Sequence, residues 1–223
     1  YLDSYLSKSV IGTRALSSVL VKGKTDGSGI KVTTYNITYC TTGMYQNALA
    51  TAGIEDAEIV VAGPYNISGT AALVGAIKSY ENMTGETVSQ ENVDTATNEL
   101  VVTGKLAESV GDSDKAEQLV GAVKEQVVEG SDNGKKLTEE EIGNVVDQAA
   151  QEMDVQLSDE DRQEIVDLMD KIKGLDIDVD SLKEQAKDLY DKIDDLGLKL
   201  DWNQEKVQGF FSKIIEFFKN LFS

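Results

Sequence analysis

The chain contains no histidine. That absence removes His-based general base catalysis, Ser-His-Asp and Cys-His nucleophile arrangements, and most zinc or iron sites. A single cysteine, Cys40, excludes an internal disulfide and argues against a thiolate zinc site. Proline occurs once, at Pro64. The sequence shows no secretory leader and no transmembrane run, and its first residue, Tyr1, points to a processed or trimmed N-terminus. Basic residues are scarce, 21 against 40 acids for a net charge of −19, so a phosphate-binding surface for nucleic acid is not expected.

What is present is unevenly distributed. Residues 1–110 hold eleven acids against seven bases, and the remainder holds twenty-nine against fourteen. The acidity thus belongs to the second half, as on a solvated helical surface. The exception is residues 203–223, where Lys206, Lys213 and Lys219 outnumber Glu205 and Glu216.

Residues 14–22 and 29–39 are rich in Val, Ile, Thr and Tyr and read as strands. Asp26-Gly27 between them is a turn signal that predicts an antiparallel hairpin. Met44, Ala48, Leu49 and Ala52 have helical spacing, with Gly53 as the stop. Ala57–Ala62 reads as a buried strand ending at Gly63-Pro64, and Ser68 as the N-cap of a helix that ends near Gly85. Strand, helix, strand, helix implies a right-handed crossover and a parallel pair.

After Val88 the strand signals stop. A helix over 90–110 is expected to break or bend at Gly104, and Leu119, Val120, Val123, Val127 and Val128 mark another over 114–129. Thr138 with Glu141 forms a capping box, Ser158 caps a helix with acids in its first turn, and Ser181 with Glu184 opens a seam from Leu182 to Leu196. The predicted class is α+β: a small mixed sheet (the hairpin plus one βαβ-type crossover) with helices, then an all-helical bundle and a terminal amphipathic helix. The expected divisions are 1–88, 89–200 and 201–223.

Four segments together carry a resemblance: Ile11–Val21, Ala48–Leu73, Glu99–Asp112 and the closing FFSKIIEFFKNLF. They resemble the YpuA-like family of secreted proteins of Gram-positive bacteria, a domain of unknown function. The resemblance implies an export signal and further chain upstream of Tyr1. It implies a location, secreted or extracytoplasmic, and no activity.

In open α/β sheets ligands sit beyond the carboxyl ends of parallel strands. Those ends here are Cys40, Thr41, Thr42 and Gly43, and the run Gly63–Thr70 with Tyr65, Asn66, Ser68, Gly69 and Thr70. Both lead into helix N-termini able to hold an anion or a peptide carboxylate, although capping and turn chemistry explains the same residues. Without histidine to activate it, Cys40 reads as a buried small apolar group. Asp176, Asp178 and Asp180 alternate as in a calcium loop, but Ser181 and Lys187 stand where such a loop needs glycine and glutamate. No catalytic residue, cofactor or metal is therefore expected.

The last 22 residues hold all five phenylalanines and the only tryptophan, Trp202. Wound as a helix, Val207, Phe210, Phe211, Ile214, Ile215, Phe217, Phe218, Leu221 and Phe222 share one face without a polar intrusion. That face is about 24 Å long at ~1.5 Å per residue, and its polar side forbids spanning a bilayer. The expectation is a non-enzymatic secreted envelope protein that makes an apolar contact with a membrane surface or a partner protein through this helix. The alternative is a small-molecule or peptide binder, or a histidine-free enzyme, working through loops 41–44 and 63–70. Docking of the same face on the chain's own helices is the structural alternative.

Overall fold

The computed structural model describes residues 14–24, 27–132, 136–178 and Leu182. It is α+β. Strands β1 (Ser18–Gly23), β2 (Ile30–Ile37) and β3 (Ala57–Ile67) form one mixed sheet, with α1 (Thr42–Thr51) between β2 and β3. Five further helices follow: α2 (Ala72–Thr84), α3 (Gln90–Val110), α4 (Ser113–Asp132), α5 (Glu139–Glu152) and α6 (Asp159–Ile172). Among the described residues no strand follows Ile67. The predicted box at Ser181 and Glu184, the seam beyond Leu182 and the terminal helix lie outside the described residues.

The strand order β1-β3-β2 corrects the expected hairpin. β2 and β3 are parallel, as the crossover reading requires, but β1 pairs antiparallel with β3 and not with β2. The physical reason lies at Asp56. Its carboxylate accepts from the backbone N–H of Gly27 (3.1 Å), Ser28 (2.7 Å) and Gly29 (2.8 Å), and its carbonyl accepts from Lys24 (3.2 Å). The turn is therefore fastened to the start of β3, which enters between its two arms. β3 buries Ala57, Ile59 and Val61 on one face and carries Glu58, Val60 and Ala62 on the other.

The third strand also runs past Gly63-Pro64, where the sequence suggested a stop. Pairing with β1 ends at Ala62, and the register with β2 shifts between Tyr35 and Ile37, so Pro64 sits where no ladder donor is needed. Asn36 absorbs the shift in a left-handed conformation (φ 56°) while its Nδ2 donates to the Gly63 carbonyl at 3.0 Å. Two further expectations are corrected. Ser68 does not cap α2, which begins at Ala72 without a side-chain cap; Gly69, at φ 86°, turns the chain first. Gly104 does not break α3, whose 21 residues are continuous.

The caps expected at Thr138 and Ser158 are present. Thr41 accepts from Met44 N, and both Thr138/Glu141 and Ser158/Asp161 form complete capping boxes. Gly53, Gly85 and Gly111 stand at positive φ just past the ends of α1, α2 and α3.

The core runs without interruption from the inner sheet face (Ile30, Val32, Ile59, Val61) through α1 to the helices behind it. Residues Gly43–Thr51 of α1 are all buried between β2 and the α3–α4 pair. Helix α4 is buried on every side from Ala116 to Val128, polar residues included.

Candidate functional site

The two predicted loops meet at the carboxyl ends of β2 and β3, and they hold each other. Thr38 N and Oγ1 donate to the Ile67 carbonyl at 2.9 and 3.2 Å, and Cys40 N donates to the Ser68 carbonyl at 3.1 Å. The Tyr45 hydroxyl, rising from α1, donates to the Gly69 carbonyl at 2.6 Å. A side chain on Gly69 would meet that hydroxyl at 2.5 Å, so the glycine admits the contact. Thr70 is buried, whereas Tyr65 and Asn66 stand in solvent.

The N-terminus of α1 is occupied from within. Glu117 of α4, 6 % exposed, brings its carboxylate to the Thr41 hydroxyl, which donates to Oε2. A Cβ on Gly43 would stand 2.3 Å from Glu117 Oε1, so only glycine allows this approach. Asn47, one turn on, donates from Nδ2 to the Glu117 carbonyl at 2.9 Å. An anion suits a helix N-terminus, and at Thr41–Gly43 the protein supplies its own.

One turn further along α1 lies a second buried polar group. Lys124 of α4 (2 % exposed side chain) and Glu99 of α3 (0 %) form an ion pair at 2.9 Å. The ammonium also donates to the Asn47 carbonyl at 2.8 Å and to Thr51 Oγ1 at 3.3 Å, and Thr51 donates to the other Glu99 oxygen at 2.5 Å. Three acceptors around Lys124 and a donor on each carboxylate oxygen leave this network closed. It ties α1, α3 and α4 together. Apolar periodicity missed Glu99, Glu117 and Lys124; the one local hint is that Glu117, Gly121 and Lys124 share a helical face.

Cys40 is buried, as expected of a structural thiol. Burial pushes its pKa up to about 12, a hydrogen bond with Tyr45 opposing only in part. Burial likewise raises Tyr45 and lifts Tyr39 to about 12, the latter helped by Glu108 and then Cys40. A group whose folded pKa is raised contributes stability below its unfolded pKa and loses it as pH rises through the folded one. Stability should therefore be full below about pH 9 and decline between about pH 9 and 12. Urea midpoints across that range check this, and Cys40→Ala should delay the onset toward pH 10, the ordinary tyrosine value. At pH 8 the Cys40 thiol should react with Ellman's reagent only when the protein unfolds.

Of the predicted site residues, Ser68 and Gly69 are held by Cys40 and Tyr45, which flank Thr41, Thr42 and Gly43, whereas Thr41 and Gly43 face Glu117 and Tyr65 and Asn66 stand in solvent. Trp202 and the Phe-bearing face lie outside the described residues. Among the described residues no helix is long and apolar enough to cross a membrane, and no three Asp, Glu or Cys side chains gather as a metal site would require.

Comparison with known proteins agrees with the resemblance in the sequence. The chain is 39 % identical over 185 residues to the uncharacterized protein YpuA of Bacillus subtilis (strain 168), an alignment that covers 83 % of this chain and 62 % of YpuA. The chain thus spans less than two thirds of that relative's length. No solved structure matches. Residues 1–189 match the family described as "Protein of unknown function (DUF1002)", and with most of its length so covered the chain belongs to that family.

Proposed function

We propose that this chain is a non-enzymatic, extracytoplasmic envelope protein whose Phe-rich segment, 203–223, makes an apolar contact with a membrane surface. The observation that carries the reading is a division of side chains. The described core is aliphatic, with Tyr45 its one fully buried aromatic, and every phenylalanine and the only tryptophan are gathered in the last 22 residues. Read as a helix, that segment has an unbroken, Phe-rich apolar face and lysines beside it, the pattern of a helix lying in a bilayer interface. The buried polar groups described above support a structural role, because their donors and acceptors are spent on one another.

Trp202 is a built-in reporter. With phosphatidylcholine vesicles its emission should move to the blue and be quenched by brominated acyl chains. In Phe211→Glu/Phe218→Glu, two charges at the centre of the apolar face should abolish both effects while the melting temperature holds. Unchanged emission of the native protein over vesicles would refute the reading, and a large fall in melting temperature of the double variant would place the face inside the fold. The competing loop reading predicts instead a small-ligand melting shift that Thr42→Val or Asn66→Ala removes.

A further inference from the structure

We draw no further inference here: the strongest candidate, the surface patch of the exposed Leu20 and Tyr35 on the outer face of the sheet, carries nothing because nothing in the structure shows what covers it.

Discussion

Replacing Lys124 by methionine is expected to destabilise the protein by about 3–5 kcal/mol. Methionine matches the length of the lysine stem, so the change removes the charge and leaves little cavity. What it leaves behind is Glu99, 0 % exposed, with only the Thr51 hydroxyl as a partner. An unpaired carboxylate at that depth loses its hydration without compensation. At ~2–4 °C per kcal/mol for a chain of this size, the melting temperature should fall by roughly 6–20 °C. The pair itself need not be stabilising, because taking both charges out of water costs about as much as their attraction returns. Lys124→Met with Glu99→Leu should therefore recover most of the loss, Thr51 turning its hydroxyl to the Asn47 carbonyl one turn back. Urea melts of the two single variants and the double complete a cycle. Purely additive costs would mean that the two groups do not act as a unit.

The network that decides this result was hidden from the sequence for a definite reason. Lys124 is 77 positions from Asn47, 73 from Thr51 and 25 from Glu99. Periodicity and capping are local, and a charged residue on a helix reads as solvent-facing unless the partner across the core is known. The local features fared better because their physics is local. Thr138 and Ser158 cap where expected, since a cap needs only its own side chain and the N–H three residues on. The strand β3 was legible as buried from its apolar run, and the parallel β2–β3 pair from the helix between them.

The sheet order was misread where a local signal met a longer-range competitor. Asp26-Gly27 does mark a chain reversal, but Asp56 takes up the N–H groups of Gly27, Ser28 and Gly29 and draws a third strand between the arms. The candidate loops were half legible. The place of Thr41 and of Ser68–Thr70 beyond the strand ends followed from topology, but Gly63–Ile67 belong to β3, and the Glu117 carboxylate that fills the α1 N-terminus arrives from 76 positions away.

Gly104 was misread in a different way, and its correction is the second large prediction. Glycine within a helix costs about 1 kcal/mol relative to alanine, so Gly104→Ala would ordinarily stabilise α3. Here the added methyl would stand 2.3 Å from Tyr39 Oη, 2.7 Å from Cζ and 2.9 Å from Cε1. The substitution should therefore destabilise by about 1–3 kcal/mol in spite of the better propensity. The Tyr39 hydroxyl is buried there with no hydrogen-bond partner. Tyr39→Phe removes a desolvated polar group that gains nothing from its surroundings, so the change alone should be neutral or stabilising. It also removes the nearest clashing atom, and the double variant should regain part of the Gly104→Ala loss, the Cζ contact keeping the rescue incomplete. Urea denaturation of the four proteins measures the coupling. A Gly104→Ala variant more stable than the native protein would show that the tyrosine ring moves aside at no cost, and with it that the glycine is not held in α3 by Tyr39.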